Sequence, residues 1–158
     1  MKKIFESLLY LIQKDKEWGG YINLSTGEIQ GPFEGNKKSF EWGTPEEERK
    51  KSSSGWARFH SHPDDGYNIP EPSTGDKVTA HLCGGKSFVI TKRGVWEVKT
   101  LKVFTTVEEI RRADEKAWAK AEELEYQHGD PAYWFWAGWI ETFLPTEVSL
   151  ICPLLEEK

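Results

Sequence analysis

The chain has 158 residues, enough for one domain with a full hydrophobic core. Charged residues make up 30% and apolar ones 37%, a globular balance that excludes a disordered chain. A net charge of −5 argues against a general nucleic-acid binder, because gripping phosphates needs a basic surface.

In chain order, Ile4, Leu8, Leu11 and Ile12 recur at helical spacing and predict an amphipathic helix over residues 3–16. Two lysines before an apolar run resemble the start of a secretory signal. Glu6 interrupts that run, however, and no small-residue cleavage site follows. "YINL" and "EIQGPF" read as two strands joined by a turn at residues 25–27. Residues 36–54, polar and charged, read as a solvated loop with a helical turn over 45–51. "GWARFHSH" reads as a strand, "PDDGYNIPEP" as a proline-rich loop, and "STGDKVTAHLCGG" as a short helix ending at Gly84 and Gly85. "SFVIT" and "VWEVK" form a hairpin, and "LKVF" reads as a further strand.

Residues 106–128 predict a long helix with Glu108 in a capping role, broken at Gly129, Asp130 and Pro131. "AYWFWAGWIETFL" predicts a second helix, ended by Pro145, and "EVSLICPLL" a final strand. Tyr133, Trp134, Trp136, Trp139 and Phe143 lie nearly all round that helix, so it must be buried on several sides. Packing on the sheet is the first expectation for it, a homodimer contact the second, and a cover over the groove of a site the remaining one. Cys83 and Cys152 are far apart and neither forms a Cys-x-x-Cys pair, so a reducing cytoplasm is expected. No stretch approaches the roughly 20 apolar residues of a membrane span, and no membrane partner is expected.

The chemistry concentrates in "RFHSHPDDGYNIPEPSTGD", residues 58–76. Side chains two apart on a strand share a face, so His60 and His62 can both enter one cavity while Ser61 turns away. A catalytic zinc needs a third ligand and one open position. Asp76, at the start of the next helix, is the best-placed carboxylate, whereas Asp64 and Asp65 sit in a turn facing solvent. Ser73 and Asp76 also fit a helix capping box, which need not exclude ligation because a cap fixes where the carboxylate points. A carboxylate must also carry a proton between water and the leaving amine. Glu17, followed by Gly19 and Gly20, is preferred over its rival Glu28. His81 reads as a packed or surface residue, Cys83 as a small buried apolar one, and His128 as a cation at a helix C-terminus.

"E-W-G-G-Y-I", then "R-F-H-S-H-P", then "S-T-G-D" resembles the JAMM (MPN+) zinc metalloproteases, small prokaryotic members in particular. The resemblance covers about residues 1–100. It implies an α/β fold: a mixed, curled β-sheet flanked by helices, the cytidine-deaminase-like JAMM/MPN arrangement. A catalytic core over 1–102 would then carry a helical extension over 103–158, packed on it. It implies Zn2+ held by His60, His62 and Asp76, Glu17 as general acid/base, and Ser73 as an oxyanion donor. The implied reaction is hydrolysis of a peptide or isopeptide bond in a protein or peptide substrate, with ubiquitin-like conjugates typical of the family. One departure is the ten residues between His62 and Ser73, against the family's usual seven, which puts the substrate class in question. The extra residues can loop out at little cost. The competing readings are a non-catalytic MPN-type binding module and a metal-dependent amidohydrolase acting on small amides or cell-wall peptides.

Overall fold

A computed structural model describes residues 2–37, 39–66, 68–101 and 106–153, with nothing said of the side chains of 152 and 153. The first helix is shorter than its sequence pattern predicts. α1 spans Lys2–Leu8, and Leu9–Gln13 tightens into a 3₁₀ turn. Leu11 and Ile12 of this turn are both buried in the core.

β1 (Trp18–Asn23) and β2 (Ile29–Glu34) form an antiparallel pair. α2 (Pro45–Ser53) is longer than the single turn expected. Its N-terminus explains the difference: Thr44 and Glu47 complete a capping box and Pro45 opens the first turn. β3 (Trp56–Ser61) leads through a loop to α3 (Thr74–Cys83), then to β4 (Ser87–Thr91) and β5 (Gly94–Thr100). α4 (Val107–His128) and α5 (Ala132–Phe143) form a helical hairpin, and β6 (Thr146–Pro153) returns to the sheet. Of the expected "LKVF" strand, Leu101 lies in a bend after β5 and residues 102–104 lie outside the described residues, as do the last residues of the final predicted strand. At the start of α4, Thr106 accepts from the Glu109 N–H, while Glu108 pairs with Arg112 one turn on. The acid at the third helical position is therefore Glu109, and the capping role expected of Glu108 is not observed.

The six strands run in the order β2-β1-β3-β4-β5-β6. Only β3 and β4 are parallel; the other pairs are antiparallel, so the sheet is mixed. Phe5, Leu8 and Leu11 pack against Phe59, Phe88 and Ile90 on one face. On the other face Ala80 of α3 meets Val89 and Val98. Side-chain alternation therefore sorts β3: Ala57 and Phe59 face α1, while His60, in register with Val89, faces α3.

α5 packs on α4 and α3. The Trp118 and Trp136 rings stack at 5.1 Å, and the Trp136 indole N–H donates to Asp114 Oδ1 at 2.8 Å. Burying a side chain of this size contributes on the order of 3 kcal/mol. Tyr133, whose ring lies 5.6 Å from that of Trp136, and Trp134 stay exposed, so the burial on several sides expected of this helix is not observed for them. Among the described residues no helix is long and apolar enough to cross a membrane.

Candidate metal centre

The parallel pair fixes where the chemistry sits. The N-terminus of α3 meets the C-terminal end of β3, an interior strand, and open α/β sheets commonly bind ligands beyond such strand ends. β1 runs antiparallel to β3 with Gly19 opposite His60. Continuing that register puts Trp18 opposite Ser61 and Glu17 opposite His62. The Ser61 hydroxyl accepts from the Trp18 N–H at 3.0 Å and donates to the Trp18 carbonyl at 3.3 Å, which pins the end of β3 to the start of β1. The Glu17 backbone is held on its other side by Gly35 and Asn36. Two backbone ladders thus locate one carboxylate.

Gly19 keeps the space beside His60 clear. A Cβ there would stand 2.8 Å from the Phe59 carbonyl and 3.1 Å from the Phe40 ring, so the Phe40 ring can lie against bare backbone.

Five predicted residues converge. Asp76 Oδ1 lies 2.9 Å from His60 Nε2, and Oδ2 lies 3.1 Å from His62 Nε2. Two ligands of a tetrahedral zinc with bonds near 2.0–2.1 Å stand roughly 3.3 Å apart, so these separations are close to those a cation needs. Ser73 and Asp76 form the capping box: the Ser73 N–H donates to Asp76 Oδ2 at 2.8 Å, and the Asp76 N–H donates to Ser73 Oγ at 3.1 Å. The His62 Nδ1 stands 2.9 Å from the Ile69 carbonyl, which can only accept, so Nδ1 carries a hydrogen. That contact orients the ring and directs Nε2 toward the site, the buttress that ligating histidines ordinarily have.

Glu17, His60 and His62 are all buried and present ligand atoms within 4.8 Å of one another, a group able to hold a metal ion. The two carboxylates are therefore placed differently. Asp76 bonds both imidazoles directly, whereas Glu17 stands with them at metal-ligand spacing. The donor set, two imidazole nitrogens with two carboxylates, suits a borderline divalent ion such as zinc. Glu28 is exposed in the turn before β2 and takes no part.

The electrostatics follow from this packing. Burial pushes the Glu17 carboxyl up, with Asp76 adding to the rise against the pull of His60 and His62. Burial alone would lower His62, but its hydrogen bond and charge contact with Asp76 outweigh that and raise it. Burial alone would raise Asp76, yet the two imidazoles hold it well below the usual carboxylate range.

The site opens into a cleft of about 200 Å³, lined by Glu17, His60 and Asp76 with Ser73, Gly75 and Thr79 on one side. Its other side is Ser39, Phe40 and Trp42. The Phe40 and Trp42 rings lie 4.5 Å apart, and Trp42 meets His60 edge-on at 6.2 Å. Sequence reasoning places these aromatics in a solvated loop. The available signal was two aromatics at alternate positions inside an otherwise polar run.

Behind the wall, buried Glu48 of α2 accepts from the Tyr21 hydroxyl, both carboxylate oxygens at 2.8 Å. Arg49 donates to the Leu82 and His81 carbonyls, and Arg58 to that of Gly84, so α2 and β3 are tied to the end of α3. Cys83 is buried there, and burial pushes its thiol up, consistent with a small packed residue rather than a nucleophile. His81 is buried and His128 exposed, and neither lines the cleft.

Compared with protein-family models, curated proteins and solved structures, the chain matches none.

Proposed function

We propose that this chain is a zinc-dependent hydrolase of amide bonds, a metallopeptidase or deisopeptidase of the JAMM type. The observation that carries the reading is the convergence of His60, His62, Asp76 and Glu17 at the C-terminal end of β3, on an open cleft. His60, His62 and Asp76 would hold the ion, with Glu17 close enough to both imidazoles to serve as an alternative ligand. Zinc, when bound, supplies a Lewis acid and makes hydroxide available near neutral pH.

The chain's own residues do the rest. A buried carboxyl with a raised proton affinity, as at Glu17, can accept a proton from attacking water and return it to the leaving nitrogen. The C–N bond breaks, the acyl carbon gains a hydroxyl oxygen, and the amine leaves with the proton. Ser73 uses an oxygen lone pair to cap α3, which leaves its own hydrogen for the developing oxyanion. Phe40 and Trp42 shed water from one side of the cleft. The substrate is a protein or peptide, with ubiquitin-like conjugates the class that the motif resemblance suggests. The exposed Tyr133 and Trp134 support a homodimer contact through α5 as a further part of this proposal.

A second reading has one observation in its favour. Asp76 already hydrogen-bonds both imidazoles, so the cluster is satisfied as a structural network and would suit a non-catalytic module. Zinc-loaded protein should hydrolyse amide bonds in a peptide and isopeptide panel, and Glu17→Gln should abolish that turnover while keeping the metal. Equal behaviour of the two proteins in every assay would favour the second reading.

A further inference from the structure

The extra residues between His62 and Ser73 can loop out at little cost, but Asn68 and Ile69 turn back toward the site. The Ile69 carbonyl buttresses His62, and the next carbonyl, of Pro70, accepts from the Trp96 indole at 3.1 Å. At the other end of the segment, the Asp64 N–H donates to the Ile12 carbonyl at 2.9 Å. Asp64 before Asn68 and Pro70 after it are thus both anchored. Asn68 Nδ2 then reaches across to the Lys37 carbonyl at 3.2 Å, two residues before Ser39 enters the cleft wall. The same amide is held by Asp65 at 3.0 Å, so its direction is fixed.

We propose that the Asn68–Lys37 bridge closes the cleft beside His62, so that the site accepts the end of a substrate chain rather than an internal stretch. This rests on the hydrolase reading and names its substrate class: short peptides, terminal residues and small acyl amides. The size of the cleft agrees. About 200 Å³ lies below the roughly 300–1,000 Å³ of pockets that enclose a drug-sized ligand. An extended chain would have to leave the cleft at both ends, and in this proposal the Asn68–Lys37 bridge blocks one of them. The substrate instead enters from the side of Gly75 and Thr79, between α3 and the Phe40–Trp42 wall.

The test uses a pool of linear nonapeptides and the same pool cyclised head to tail, which has no ends. Binding to zinc-loaded Glu17→Gln protein is read by equilibrium dialysis and mass spectrometry, and cleavage by the unsubstituted protein is mapped on both pools. The expected result is at least tenfold tighter binding of the linear pool, with cuts confined to the outermost bonds. Asn68→Ala, at a half-buried position, should shrink that preference at least threefold. Equal binding of the two pools, no binding of either, or cuts spread along the linear chain would overturn the proposal. Linear preference in binding without any cleavage would overturn the hydrolase reading and leave the closed cleft standing.

Discussion

Asp76 Oδ2 and His62 Nε2 stand 3.1 Å apart, while the other nitrogen of that imidazole faces the Ile69 carbonyl at 2.9 Å. Both ring nitrogens face acceptors. Without a cation, the ring satisfies both only as the imidazolium, and a divalent ion would take the place of the Nε2 proton.

That arrangement sets a pH dependence for metal-stripped protein. The His62 pKa is raised on folding, so its stabilisation is complete below the unfolded value near 6.5 and fades as pH rises through the folded one. The Asp76 pKa is lowered, so its stabilisation is present above the unfolded value near 3.9 and fades as pH falls through the folded one. Thermal melts of stripped protein should therefore peak in the mildly acidic range and decline above neutrality, and added zinc should remove the alkaline decline. A melting temperature flat from mildly acidic to alkaline pH would contradict this.

The two carboxylates should separate in metal titrations. Asp76→Asn is expected to weaken zinc binding at least a hundredfold, whereas Glu17→Gln should retain zinc within a few-fold and lose turnover. The reverse order would make Glu17 the ligand, as its 4.8 Å grouping with the imidazoles allows.

Ser73 has two jobs that different substitutions pull apart. Ser73→Ala should cost about 1 kcal/mol of stability through the lost cap, and Ser73→Gly only a few tenths. Both should lower turnover on the order of a hundredfold, because both remove the same hydroxyl donor. Chemical denaturation beside steady-state kinetics reads the two effects, and a Ser73→Gly protein of undiminished turnover would remove Ser73 from the mechanism.

The buried Tyr21–Glu48 contact should matter to the fold. Glu48→Ala leaves the Tyr21 hydroxyl without its partner and should destabilise by about 1–3 kcal/mol. Adding Tyr21→Phe should recover part of that loss. A strictly additive double mutant in urea unfolding would show that the contact contributes nothing.

Two glycines should respond in opposite directions. A Cβ on Gly20 would lie 2.2 Å from the Gln30 carbonyl, so Gly20→Ala should disrupt the β1–β2 pairing and lower the melting temperature. Gly138 is exposed in α5 with nothing near its Cβ position, so Gly138→Ala should stabilise by roughly 0.5–1 kcal/mol.

How much of this was legible depended on whether the signal was local. The period of two in "HSH" places both imidazoles on one face, and the Ser73-to-Asp76 spacing gives the cap, because each is a rule about neighbours in sequence. Glu17 was legible through the glycines after it, but its register against His62 comes from strand pairing. The inward turn of Phe40, Trp42 and Glu48 was hidden, since only tertiary contacts with Gly19 and Tyr21 distinguish them from their polar neighbours. The return of Asn68 and Ile69 onto the site was hidden for the same reason: loop lengthening is cheap, and sequence does not show what a loop touches.

The central claim is that the Asp76–His60–His62 cluster holds a cation. Protein stripped with chelator, reloaded with zinc and passed through a desalting column reads it most directly by elemental analysis. One zinc per chain, reduced to trace levels in folded His62→Ala protein, is the predicted result. Folded unsubstituted protein that emerges free of zinc would contradict it.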